Sequence, residues 1–401
     1  MEEKKIGEIK IKRPTFLQIL FVVCVAANMF TQQIYLPYNN MGKYYVGVLF
    51  LIVFCVVNSF KVSFTKEDRL FGNALILPWI FVCIISVIGD IFNKNPLNYL
   101  SRSVSNVLWV LLAISFAWVS YKLFNKKSID FIFIACIINY TLVILKFVQV
   151  NGFAGLLASF NYKDIVNSER LLEVHELTYV FGLFILYFIF SKNVHRRKLK
   201  LFFSILYFFM GFKRIAIAAL LISIALILIL KRVKKNSTYK SFILVCSCFC
   251  VLCSLVFVYL IKTDGIISIF NHFNIETNGR IFLWSIFNDK ISFFPLPFGY
   301  GIGYTDRQLE VLHYPQLHND ILRLFLGVGL ISFIIFFWKL FYSNSKKMLV
   351  QINADCSKIY LAMFMFIFIN MFFSNAGFGY WIYFCFSGIV LNMIKETENQ
   401  H

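Results

Sequence analysis

Twelve apolar runs punctuate this chain and constrain it more than any other feature. They lie near residues 15–30, 44–60, 70–92, 103–120, 129–150, 177–190, 199–210, 215–230, 241–261, 321–342, 359–374 and 378–393. A helix that crosses a bilayer needs about 20 mostly apolar residues. Nothing between the runs is long enough to fold alone as a soluble domain. Hydrophobic residues make up 59% of the 401-residue chain, against about 45–50% in soluble domains. These features predict an all-α polytopic membrane protein of about twelve transmembrane helices, a single integral membrane domain over residues 1–401. The charged N-terminus leads into the first run with no A-x-A-like cleavage site, so that run is expected to stay as the first helix.

The stretch 199–230 is almost continuously apolar. As one helix it would measure about 48 Å at 1.5 Å per residue, while a hydrocarbon core is about 30 Å thick. Gly211-Phe212-Lys213-Arg214 interrupts it, and two charges at the centre of one spanning helix are costly. Two short helices meeting at the Lys-Arg pair are therefore expected. Charge agrees with the split. The net charge is +19, which on a soluble protein would suggest nucleic acid. Here the cations sit in short loops. With the N-terminus inside, segments 1–14, 61–69, 121–128, 191–200, 231–240, 343–358 and 395–401 hold 25 Lys and Arg, and the outer segments hold 11. That is the positive-inside pattern, with both termini cytoplasmic, and it speaks against a nucleic-acid partner.

Two outer loops are long, 151–176 and the 59-residue 262–320. The first carries Glu169-Arg170 and Glu173-Val-His175-Glu176. The second is a large extracytoplasmic loop and the expected seat of the active site, because loops carry function where chain has been spent on them. It holds Asn278-Gly279-Arg280-Ile-Phe-Leu-Trp284, a turn that leads into an apolar segment. The planar guanidinium of Arg280 suits phosphate; an arginine anchored at the headgroup level is the other reading. Next comes Pro295-Leu-Pro297-Phe-Gly299-Tyr300-Gly301-Ile-Gly303-Tyr304. Its glycines permit tight turns and close backbone approach to a ligand. Tyr300 and Tyr304 suit stacking on sugar rings, or equally an aromatic belt. Last comes His318-Asn319-Asp320, where the next apolar run begins. Histidine titrates near neutral pH and can take a proton from a hydroxyl. His313 and His318 lack the further ligands and spacing of a metal site, and the ten cysteines lack a zinc pattern, so no metal is expected. Lys213 and Arg214, wedged between two apolar segments, are functional candidates by position.

These motifs, in this order, resemble the O-antigen ligase and O-antigen polymerase superfamily: an arginine at a short-helix break, then Asn278-Gly279-Arg280 with Trp284, the spaced glycines, and His318-Asn319 with Leu322 followed by Gly327-x-Gly329. The detailed resemblance covers about residues 200–335, the helix and loop plan the rest. It implies a metal-independent glycosyltransferase of the GT-C-like type, without cofactor, in the bacterial cytoplasmic membrane. Its substrates would be polyprenyl-diphosphate-linked oligosaccharides as donor and acceptor, joined on the outer face, with a flippase and a chain-length regulator as partners. Arg214 and Arg280 match the family's diphosphate-contacting arginines and His318 its base; Lys213, Asn319, Arg170 and Tyr300 are the expected substrate-binding residues. The break here reads Phe212-Lys213-Arg214-Ile215, where family members often carry Ser-Arg-Gly or Ser-Arg-Thr.

A repeat-unit polymerase is the expected activity, with a ligase-type transfer to a final acceptor as the same-class alternative. From a different class, a lipid-linked oligosaccharide flippase or transporter should line a central cavity with charge. Charged residues inside the runs are few, and Asp90, Lys146 and Arg323 among them lie near run ends. The first outer loop, 31–43, has no carboxylate, unlike the dolichol-phosphate-sugar branch of membrane glycosyltransferases.

Overall fold

A computed structural model describes residues 13–33, 64–158, 175–191, 194–211, 213–274, 279–314 and 317–396, with three isolated helical residues in 49–56. Every regular element among them is helical. The chain divides into two compact units, residues 1–62 with 119–174, and residues 63–118 with 175–401. The helices are α1 (Arg13–Gln33), α2 (Lys66–Phe92), α3 (Leu97–Phe124), α4 (Lys127–Ala158), α5 (His175–Phe190), α6 (Arg197–Met210), α7 (Arg214–Arg232), α8 (Asn236–Lys262), α9 (Gly265–His272), α10 (Arg280–Ser285), α11 (Gly303–Val311), α12 (Asp320–Gln351), α13 (Ala354–Met371) and α14 (Tyr380–Glu396). Seven of them, α2, α3, α4, α7, α8, α12 and α13, are long and apolar enough to cross a membrane; α1, α5 and α14 contain shorter apolar stretches. Of the twelve expected segments, 44–60 lies almost wholly outside the described residues, and each of the others coincides with a helix.

In the first unit α1 packs on α4. Buried Asn139 of α4 donates to the Ala26 carbonyl at 3.2 Å, so a polar side chain inside an apolar pair is satisfied rather than stranded.

In the second unit, specific contacts fix which helix ends meet. Lys395 at the end of α14 reaches Glu67 at 3.0 Å and Thr65 at 2.8 Å, beside the start of α2. Thr65 and Asp68 form a reciprocal capping box that starts α2 there. Lys358 near the start of α13 donates to the Val233 carbonyl just past the end of α7, and Ser357 meets Tyr239 at the start of α8. These residues share one end, which also carries Lys231, Arg232, Lys234 and Lys235. The opposite end holds the finish of α2, the α6–α7 break, the chain from Lys262 to Asp320, and the turn between α13 and α14. At the break, a Cβ on Gly211 would come within 2.0 Å of the Thr178 hydroxyl. Only glycine lets that turn seat on α5. The split of 199–230 into α6 and α7 is thus present as expected.

α12 is itself interrupted. Gly329 has φ +77, about 13 Å along the helix from Asp320. An interruption leaves carbonyls without helical partners. The glycine segment of the preceding loop supplies them: Tyr300 N–H donates to Leu326 O at 2.8 Å and Gly301 N–H to Gly327 O at 2.9 Å. Ser332 also donates to the Pro297 carbonyl. Such proximity excludes side chains. A Cβ on Gly299 would stand 2.1 Å from Leu326 O, and one on Gly301, at φ +88, 2.4 Å from the Asp90 carboxylate. From the other side Asn93 donates to Gly299 O, Asn95 to Tyr300 O, and Ser103 accepts from Gly303 N–H. The spaced glycines therefore bring the backbone close to the protein's own helices.

Candidate functional site

Arg280 opens α10. Gly279, at φ +75, turns the chain into that helix with a dihedral glycine takes at no steric cost. The Arg280 Nη1 donates to the Phe373 carbonyl at 3.0 Å. One turn further, buried Trp284 donates Nε1–H to the Leu317 carbonyl at 3.1 Å. Leu317 directly precedes His318, so one short helix carries the arginine and also anchors the chain at the histidine. The indole ring is packed edge-on against Phe257 and lies 6.0 Å from Phe373.

His318 is half-buried and has φ +52. A left-handed residue with a Cβ carries strain of about 1–2 kcal/mol, and such residues gather where geometry is over-determined. Here Trp284 fixes the chain before it and a helix cap fixes the chain after it. Asn319 is fully buried and caps α12, its Oδ1 accepting from Leu322 N–H at 2.9 Å. Asp320 is also fully buried, and its Oδ2 accepts the Gly377 N–H at 2.6 Å. The turn 372–379 between α13 and α14 is thus tied to both site segments, through Phe373 to Arg280 and through Gly377 to Asp320.

Lys213 and Arg214 stand at the start of α7. The Lys213 ammonium lies over the Tyr179 ring, 4.9 Å from its centroid, and Arg214 is exposed. α7 and α13 pack together and run antiparallel, because the end of α7 meets the start of α13. The start of α7 therefore shares an end of the unit with Phe373, the partner of Arg280. Tyr300 is placed elsewhere. Its backbone pairs with Leu326, about two turns along α12 from His318, and its ring stacks on Tyr304 at 4.9 Å. Burial, reinforced by Tyr300 and Tyr99, raises the pKa of Tyr304. Arg170 and Asn278 lie outside the described residues.

A charge cluster beside the site was missed. Asp306 of α11 pairs with Arg323 of α12, with the Arg102 Nε at 3.1 Å, and with the Asn106 amide at 2.9 Å. Arg323 lies over the Phe378 ring at 4.3 Å, and its Nη1 is 3.9 Å from Asp320. One signal was available: Asp320 and Arg323 are opposite charges three apart inside an apolar run, where each needs a partner. Among the described residues no group of three or more His, Cys, Asp or Glu could hold a metal ion.

Residues 199–337 match the O-antigen ligase family. The matched segment runs from α6 into α12 and contains Arg214, Arg280 and His318. It bears out the resemblance to the O-antigen ligase and polymerase superfamily. No curated protein matches the chain. Seven helices long and apolar enough to cross a membrane, with residues 199–337 similar to the O-antigen ligase family, point to a multi-pass membrane protein. The turn 372–379, although bonded to that segment at two points, lies beyond the matched residues.

Proposed function

We propose that the chain is a membrane glycosyltransferase that polymerises polyprenyl-diphosphate-linked repeat units into a surface polysaccharide, by a GT-C-like site in loop 262–320. The observation that supports this is that α10 carries Arg280, a side chain suited to phosphate, and through Trp284 anchors the chain next to His318, a side chain suited to a hydroxyl proton. Their end of the unit lies opposite the lysine-rich end, and the positive-inside rule makes the lysine-rich end cytoplasmic. Chemistry then falls on the outer face of the cytoplasmic membrane, with both termini inside and about twelve helices in all.

The reaction forms a bond from the acceptor hydroxyl oxygen to the anomeric carbon of the donor glycan. The bond from that carbon to the diphosphate oxygen breaks, and its electron pair leaves with the lipid diphosphate. Negative charge grows on that oxygen, and the Arg280 and Arg214 guanidiniums stabilise it. Preorganised donors of this kind are worth about 100- to 1,000-fold in kcat each. His318 accepts the proton from the attacking hydroxyl. Lys213 adds positive charge at the α7 start, and Asn319 caps the helix that presents His318. Arg170 and Tyr300 are the further candidates for holding substrate.

The test is glycan length in cells whose sole copy is His318→Ala or Arg280→Ala, with membrane abundance measured alongside. Normal abundance with glycan stopped at a single repeat unit supports polymerisation. Accumulation of long carrier-linked chains identifies a ligase instead. Normal glycan from both variants overturns the site.

A further inference from the structure

The turn 372–379 meets the site at three points. Its Phe373 carbonyl accepts from Arg280 at 3.0 Å. Its Gly377 N–H donates to Asp320 at 2.6 Å. Its Phe378 ring lies 4.3 Å beneath the Arg323 guanidinium. Phe373 is the only one of these that bears on a residue proposed to touch substrate. The other two contacts come from Asp320 and Arg323, one turn apart on α12, and they hold the far side of the same turn. We propose that Asp320 is a positioning residue that sets the aim of Arg280 through the turn 372–379, with Arg323, itself paired to Asp306, 3.9 Å from its carboxylate.

The chemistry at Asp320 favours this role. A fully buried carboxylate is costly unless it is hydrogen-bonded and neutralised. Asp320 finds backbone donors in the turn, at Gly377 and Phe378, and one cation, Arg323, at 3.9 Å. Arg323 is held by Asp306, which Arg102 and Asn106 also grip. A residue that only capped its own helix would need none of this, and Asn319 already does the capping. Gly377 fits the arrangement: a Cβ there would lie 3.1 Å from the Asp320 Oδ2 and 2.6 Å from Met371, so a side chain would press the turn away from the carboxylate. The Arg280–Phe373 bond orients a guanidinium that still has donors for a diphosphate, since arginine offers five. A misplacement of about 1 Å in such a group costs about 100-fold in rate.

The inference rests on the proposed transferase activity. The experiment uses full-length protein in lipid vesicles with a polyprenyl-diphosphate-linked repeat unit as substrate, and compares wild type, Asp320→Ala, Arg280→Ala and the double variant. Asp320→Ala is expected to lower kcat about 100-fold with KM within about threefold, and the double variant to be no slower than Arg280→Ala alone. Non-additivity of this kind marks two residues acting as one unit, and a purely structural role would not produce it. Asp320→Asn keeps the volume and one acceptor oxygen, and should recover a large part of the rate. Should Asp320→Ala not accumulate in the membrane, the same cycle is run with Gly377→Ala, whose Cβ presses the turn away from the carboxylate. Multiplicative losses in the double variant overturn the inference and leave the transferase reading intact. An Arg280→Ala protein as fast as wild type overturns both.

Discussion

The bond from Trp284 to Leu317 is the most direct handle on the site. Trp284→Phe removes the Nε1–H and keeps an aromatic ring against Phe257 and Phe373. Both Trp284 and Leu317 are buried, so the Leu317 carbonyl is left without a donor, at a cost of about 1–3 kcal/mol. The adjacent His318 is held at φ +52 against about 1–2 kcal/mol of strain. With its anchor gone, that residue gains by relaxing to an ordinary dihedral, which moves the imidazole. The two energies are of similar size, so relaxation competes with retention and the productive geometry becomes a minor population. At 1.4 kcal/mol per decade, kcat/KM is expected to fall about 5- to 100-fold in the vesicle assay. Trp284→Leu, which also loses ring contacts, should fall further and lower membrane abundance. A Trp284→Phe protein within twofold of wild type would refute the idea that α10 holds His318 in place.

Gly301→Ala forces a Cβ into the Asp90 carboxylate at a left-handed backbone; detergent-solubilised protein is expected to melt well below wild type, and an unchanged melting temperature would show that the loop yields freely. Asp306→Ala strands Arg323, which is nearly buried, and the loss of one partner of such a pair costs about 3–5 kcal/mol; membrane abundance should drop sharply and recover in part with Asp306→Asn. The raised pKa of Tyr304 means that the fold favours the neutral phenol. That contribution is complete below the ordinary tyrosine pKa and is lost as pH rises through the folded value. Thermal melts should show this alkaline decline in wild type and a smaller one in Tyr304→Phe.

The helices were legible because a bilayer leaves few options: each span must be apolar and must satisfy its own backbone. The break at Gly211–Lys213 was legible for the same reason, since neither the length of 199–230 nor its central charges suit one span. The interruption of α12 was not. Gly327-x-Gly329 shows only that small residues occur there, and whether the helix bends or breaks depends on a loop thirty residues earlier meeting it. The glycines at 299, 301 and 303 were rightly taken as places of close backbone approach, but sequence could not say to what. Arg280 and His318 stood out as polar residues where apolar segments begin. Asp306, Arg102 and Arg323 form one cluster from three distant stretches, and nothing local in the sequence links them. The contribution of Phe373 is a backbone carbonyl, which side-chain motifs do not record.

The interruption at Gly329 also bears on how the protein is made. Until Tyr300 and Gly301 arrive, the Leu326 and Gly327 carbonyls face lipid unsatisfied, at several kcal/mol each. The glycine segment precedes α12 in the chain, so it has already left the ribosome when α12 seeks the bilayer. Direction of synthesis and direction of need coincide. A circular permutant that places 296–303 after α12 would have the same final contacts available, but would have to insert the broken helix before its partner existed.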